Sequence, residues 1–183
     1  MIESKTTLGL LALWLIPGLG PRRLEMLINE LGSLDAVFSA STATLAGITG
    51  LAAQKVEAIH SAMSSDALET ELSLIEKHRL TVLDYTQSGY PSLLTEIHDA
   101  PPILYTRGEL DLNKGLPIAF VGSRKASFAG KSMCRRLIQR LAEIEPDTII
   151  ISGLALGIDS AAHKAALEFG LKTVAVLAGG LSS

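Results

Sequence analysis

Apolar positions recur at two different spacings along the chain, and the change falls near residue 80. Before it they return every three to four residues, the period of one helix face. Leu8–Ile16 (LGLLALWLI) is apolar throughout and reads as a buried helix. Leu24, Leu27, Ile28 and Leu31 mark the face of a second helix. Val56 and Ile59 mark another, and Leu68, Leu72 and Ile75 line one side of Asp66–His78. After residue 80 the runs shorten. Thr81–Asp84 and Ile103–Thr106 predict short strands, separated by the turn residues Gly89-Tyr90-Pro91 and Ala100-Pro101-Pro102. Ile118–Val121, Thr148–Ile151 and Thr173–Leu177 are continuous apolar runs of buried-strand length. Between them, Ser127–Glu143 has helical periodicity with Met133, Cys134, Leu137, Ile138 and Leu141 facing in. Ser160–Phe169 predicts a further helix, ended by Gly170.

These elements divide the chain into a small helical domain (1–62), a connector with a helix and short strands (63–117) and an α/β region (118–183). Strand–helix–strand–helix–strand with fully apolar strands implies a parallel sheet with right-handed crossovers, expected to be covered on both faces. The fold class is therefore α/β, part of a Rossmann-like parallel sheet preceded by a small all-helical domain. The helical domain carries an internal echo. Gly20 and Gly50 align at an offset of 30 residues, each in a glycine turn ahead of an amphipathic helix. The pattern resembles SAM-like and helix-hairpin-helix modules, in which turn amides and a helix N-terminus approach a DNA phosphate. A plain helix-packing unit, or a protein-interaction role for residues 1–62, accounts for the same pattern.

Composition sets outer bounds. With 183 residues, 48% hydrophobic and 19% charged, the chain has enough apolar content for a core, and disorder throughout is excluded. Its formal net charge is −3, so a nucleic-acid site requires local clustering of cations. The single cysteine, Cys134, forms neither an intramolecular disulfide nor by itself a zinc site, which suits a reducing cytoplasm. His60, His78 and His98 have no metal-ligand spacing. Leu8–Ile16 is too short to span a bilayer, which takes about 20 residues. Glu3 beside Lys5, the Pro17-Gly18 break and Pro21-Arg22-Arg23 argue against a secretory leader. No membrane association is expected.

The chemistry concentrates in three loops expected at the C-terminal strand ends, where ligands of such sheets bind. They are Gly122-Ser123-Arg124-Lys125, then Ser152–Asp159 leading to His163, and Ala178-Gly179-Gly180. Gly122, Gly153, Gly157, Gly179 and Gly180 let backbone amides approach a ligand. Helix N-termini follow the first two loops, each adding roughly half a positive charge. The ligand is expected to be an anion, most simply phosphate. Neither Gly-x-Gly-x-x-Gly after the first strand nor the Walker pattern is present, so nicotinamide, flavin and triphosphate hydrolysis are disfavoured and no cofactor is expected. From Leu112 to Ala142 there is no Asp or Glu, while Lys114, Arg124, Lys125, Lys131, Arg135, Arg136 and Arg140 supply seven of the sixteen Lys and Arg residues. Lys131 and Arg135 fall on the expected outer face of the helix. A basic strip leading from a phosphate crevice suits a polymer backbone. Asp159 and His163, four residues apart, are expected as a helix cap with a local hydrogen bond to imidazole rather than as an acid–base pair.

Three segments carry a resemblance to a known family. They are Val121-Gly-Ser-Arg-Lys-Ala-Ser127, then Ile151-Ser-Gly-Leu-Ala-Leu-Gly-Ile-Asp-Ser-Ala-Ala-His163, then Thr173-Val-Ala-Val-Leu-Ala-Gly-Gly-Leu181. Together with Gly89-Tyr-Pro91 and Ala100–Gly108, they resemble the DNA-processing protein A family, also called DprA or Smf. The resemblance implies a non-enzymatic bacterial protein. Such a protein binds incoming single-stranded DNA in natural transformation and helps load the RecA recombinase, and the family is homodimeric. It implies a phosphate-holding role for Ser123 and Arg124, with Lys125 added on its charge and place. It makes Gly153, Gly157 and Asp159 shapers of the second loop. Family members continue past the third strand with more sheet, further basic DNA-contacting residues and often a winged-helix tail. By that measure a chain ending at Ser183 is expected to be a fragment or short form. An enzymatic alternative is a nucleoside-monophosphate phosphoribohydrolase, but Ala178–Ser183 matches only the glycine pair of its Pro-Gly-Gly-x-Gly-Thr loop.

Overall fold

The computed structural model describes residues 2, 4–109 and 111–181. They form two compact units, one before residue 110 and one after it.

The first unit contains α1 (Lys5–Trp14), α2 (Pro21–Leu31), α3 (Leu34–Ser39), α4 (Thr42–Thr49), α5 (Ala53–Ser61), a 3-10 turn, α6 (Asp66–Lys77), β1 (Thr81–Asp84), α7 (Ser92–Thr95) and β2 (Ile103–Thr106). Serine side chains cap α1, α3, α4 and α6, each accepting a hydrogen bond from an amide of the first turn. The apolar run of α1 has no solvent face because the other elements surround it. Leu10, Leu11 and Leu13 are fully buried, as are Leu27, Val37, Leu45, Val56 and Ile59. Each such side chain contributes about 1.5–3 kcal/mol of transfer free energy. The segment after α5, read from sequence as a connector, joins this core. β1 and β2 pair antiparallel, with Thr81 opposite Thr106. The Asp84 carboxylate, fully buried, accepts from Thr7 Oγ1 of α1 at 2.6 Å and from the Thr86 amide at 2.8 Å. A buried carboxylate without such donors would be strongly destabilising, so this network fixes the hairpin to α1.

The internal echo is real but its register is 32, not 30. Gly18 (φ +85°) and Gly50 (φ +63°) occupy the left-handed region. Gly20 and Ala52, both extended, are the N-caps of α2 and α5. Leu19 and Leu51 are buried between those positions. Sequence alignment by glycine alone paired an N-cap with a left-handed turn, two positions with different backbone requirements.

The second unit contains β3 (Leu116–Ala119), α8 (Phe128–Ile144), β4 (Thr148–Ser152), α9 (Ile158–Glu168) and β5 (Lys172–Ala175). The sheet is parallel in the order β3-β4-β5, with Ile118, Ile150 and Thr173 in register. This order corrects the expectation of helices on both faces. The strands advance in one direction, so right-handed crossovers place α8 and α9 on the same face. There Cys134, Ile138, Ile150, Ala162, Ala165, Ala166 and Leu171 form one buried cluster. The alanines of α9 permit its close approach. The contact stripe on α8 is consequently narrow. Cys134 and Ile138 are buried, whereas Met133 and Leu137, expected to face in, are 49% and 52% exposed. β3 also starts earlier than expected, and Val121 stands outside it at 86% exposure. No helix among the described residues is long and apolar enough to cross a membrane.

Truncating Leu13 to alanine leaves a cavity at the centre of the first unit. The expected cost is about 2–5 kcal/mol, read as a lower urea midpoint in equilibrium unfolding of the full chain. An unchanged midpoint would contradict the buried position of this helix.

Candidate functional site

The ends of β3 and β4 are tied together before either loop begins. The Phe120 amide donates to the Ile151 carbonyl at 2.9 Å, and Ser152 Oγ donates to the Phe120 carbonyl at 2.7 Å. The Val176 amide donates to the Ser152 carbonyl at 2.8 Å, which brings the chain after β5 to the same edge. Ser152 thus links all three loops, a role that sequence reasoning missed because a serine at a strand end has no distinguishing pattern.

The first and second loops then meet face to face. Gly157, the N-cap of α9, has φ +94°. A methyl placed on it would overlap the Ser123 carbonyl oxygen and lie 2.7 Å from that of Arg124. A methyl on Gly122 would lie 2.5 Å from Ile158 Cγ1. The Ile158 amide donates to the Ser123 carbonyl at 3.2 Å, and the Lys125 amide to Ser123 Oγ at 3.1 Å. Among the described residues, the amides of Ser123, Arg124 and Gly157 have no protein acceptor. Ser127 Oγ caps α8 by accepting from the Gly130 amide, whereas α9 has no side-chain cap. The first loop thus meets the uncapped start of α9 with these amides unpaired, an arrangement that favours an anion.

Gly153 lies against Asp159, where a methyl would sit 2.9 Å from Oδ2. Gly179 has open space around it, and both Gly179 and Gly180 are exposed. Leu154 occupies the left-handed region at φ +60°, a strained conformation for a residue with a side chain.

The cations separate into two groups. Arg124, Lys125 and Lys131 are exposed, and among the described residues they pair with no carboxylate. Among the described residues, Arg136 reaches only the Met133 sulfur. Arg135 instead makes a two-pronged ion pair with Glu168 of α9, with Nε 2.8 Å from Oε2, and stacks its guanidinium 4.8 Å from the centre of the Phe169 ring. That hydrogen bonding lowers the Glu168 pKa and raises that of Arg135. Arg140 pairs with Glu143 and Lys114 with Asp111. The acid-free stretch of sequence concealed these partners because each lies outside it. Phe128, the first residue of α8, is 89% exposed at the same edge. Sequence reasoning passed over it, having counted few aromatics.

Asp159 and His163 are both 7% exposed, but they do not form the expected pair. Asp159 is the second residue of α9 and makes no capping hydrogen bond. His163 Nδ1 lies 2.7 Å from Thr173 Oγ1, whose hydroxyl donates to the Ile150 carbonyl. With that hydroxyl proton committed, Nδ1 is the donor to Thr173, and Nε2 is buried without a partner among the described residues. Among the described residues, no cluster of His, Cys, Asp or Glu has metal-site geometry.

A family model described as DNA recombination-mediator protein A matches residues 81–183. The full chain is 30% identical to Protein Smf of Escherichia coli (strain K12), covering 46% of that relative. Over 92 residues it is 50% identical to DNA processing protein DprA of Streptococcus pneumoniae, which is 50% of this chain and 32% of that one. The X-ray structure of DNA processing protein A from Streptococcus pneumoniae aligns at a TM-score of 0.77 with 30% identity, covering 99% of this chain and 60% of the other. The chain thus spans less than half the length of these two curated relatives.

Gly157→Ala is expected to push the first loop away from α9. Backbone strain alone costs about 1–3 kcal/mol. A lower melting temperature, with altered amide shifts at Ser123 and Arg124, is the expected readout. Native-like stability and shifts would show that the loops do not meet as described.

Proposed function

We propose, for a chain that belongs to the DNA recombination-mediator protein A (DprA/Smf) family, that the notch between the Gly122–Ser127 loop and α9 binds the phosphate backbone of single-stranded DNA. The observation that supports this most is the contact of Gly157 with the Ser123 and Arg124 backbone, beside which the amides of Ser123, Arg124 and Gly157 have no protein acceptor and two cations, Arg124 and Lys125, have no carboxylate partner among the described residues. Phosphate contacts of this kind are independent of base sequence and position the strand. Lys131 extends the cationic surface along α8. Phe128 offers a face on which an unpaired base can stack, worth about 1–3 kcal/mol, and a base held in a duplex cannot reach such a face. Arg135 joins the interface only if Glu168 releases it. The same reading includes delivery of the strand to the RecA recombinase, by a cytoplasmic homodimer that catalyses no reaction.

A salt titration of binding to an oligothymidylate and to a duplex of equal length tests this directly. Arg124→Ala is expected to weaken binding for every sequence and to make the log–log salt slope less negative by about 0.7, the value for one lost phosphate contact on a single strand. Glu168→Gln is expected to steepen the slope by freeing Arg135. Equal affinity and slope for wild type and Arg124→Ala would reject the site. Release of free base from nucleoside monophosphates would reject the non-catalytic reading.

A further inference from the structure

The first unit holds a cavity of about 290 Å³ between α2 and the segment that precedes β2. Local sequence fixes both of its walls. On α2, Leu24 and Ile28 stand four residues apart on one face, Leu24 buried and Ile28 half-buried. The opposite wall comes from residues 95–102. There Tyr90 Oη donates to the Pro101 carbonyl at 2.6 Å, and the pairing of Asp84 with Ile103 closes the loop behind it. Pro101 and Pro102 restrict the backbone further. The cavity is therefore shaped before any ligand arrives, which lowers the ordering cost of filling it.

Its lining combines aliphatic walls with oxygen acceptors. Pro21, Leu24, Ile28, Ile97 and Pro102 supply the apolar surface, with Ile97 47% exposed. Glu25, Tyr85 and His98 also line it, and among the described residues their side chains make no hydrogen bond or ion pair. Burial, together with the negative charges of Asp84 and Glu25, raises the Tyr85 pKa, so the phenol stays neutral in a field that favours a cation. None of the described lining residues is Lys or Arg. The unit around it is acidic, with seven Lys and Arg against thirteen Asp and Glu in residues 1–109. A neutral apolar group would fill the walls but leave the Glu25 carboxylate desolvated and unpaired. An aliphatic stem ending in a cation satisfies both, and a phenol ring adds a face for the charge.

We propose that this cavity receives a lysine or arginine side chain from a partner polypeptide, its stem against Leu24, Ile28 and Pro102 and its charged end at Glu25 and Tyr85. The surface beyond favours a polypeptide over a free amine. Pro21 also borders a larger open hollow of about 460 Å³, which Arg22, Arg23 and Asp99 line. A chain that continues past Pro21 meets donors there for its carbonyls or for an acidic side chain, whereas a small amine ends in the first cavity. The site is independent of the notch, since it takes a cation where the notch takes a phosphate.

The test titrates the full chain with terminally blocked pentapeptides of glycine carrying arginine, lysine or norleucine at the centre, and with agmatine. Amide shifts of Glu25, Tyr85 and Ile97 are the readout. Saturable shifts are expected with the arginine and lysine peptides and not with norleucine. Glu25→Gln is expected to raise the midpoint about tenfold, and Tyr85→Phe about threefold, the values for a charged and a neutral hydrogen bond. Glu25 is exposed and supports no other side chain among the described residues, so its variant is expected to melt with the wild type. Equal binding of the norleucine peptide, wild-type affinity in Glu25→Gln, or no saturable shift with any peptide overturns the proposal. Agmatine binding as tightly as the arginine peptide overturns the polypeptide assignment in favour of small amines.

Discussion

No side chain fits between the start of α9 and the carbonyls of the loop that precedes α8. At Gly157 the backbone turns through a positive φ while in contact with Ser123 and Arg124, and both demands exclude a Cβ. The contact turns the Ser123 and Ile158 groups toward each other and leaves the next amides without partners. Ser152 holds both strand ends at the height where that contact is made. The sheet and its two helices serve as the rigid support. The alanine face of α9 lets it sit close to α8, and the helix starts are thereby brought to one edge.

Charge at that edge is selected by pairing more than by number. Seven cations fall in one acid-free stretch, but Lys114, Arg135 and Arg140 each have a carboxylate partner. Exposed pairs of this kind contribute little to stability. Their larger effect is to remove cations from the surface offered to an anion. Arg124, Lys125, Lys131 and Arg136 remain exposed and without a carboxylate partner among the described residues, with Phe128 also exposed.

Much of this was legible in the residues. The apolar run of α1, the strand–helix alternation after residue 116 and the glycine positions of the first two loops follow from periodicity and backbone freedom alone. Pairwise partners did not follow. Glu168 is 33 residues from Arg135, and Thr173 is ten from His163; neither spacing is a helical neighbour relation. The inward face of α8 was misjudged because periodicity gives the direction of a stripe but not its width, which depends on where α9 packs. The repeat was found at the wrong offset because identity of glycine does not reveal the sign of φ. The resemblance to the DprA/Smf family supplied what periodicity lacked, and the fold and family comparisons agree with it.

Amide chemical-shift mapping of the chain during titration with a short oligothymidylate examines the notch at the atoms that define it. Ser123, Arg124 and Gly157 are expected to show the largest and earliest perturbations in the second unit, reversed by added salt. Saturated binding that leaves those three amides unmoved would mean that the contact between the first loop and α9 does not form a phosphate site.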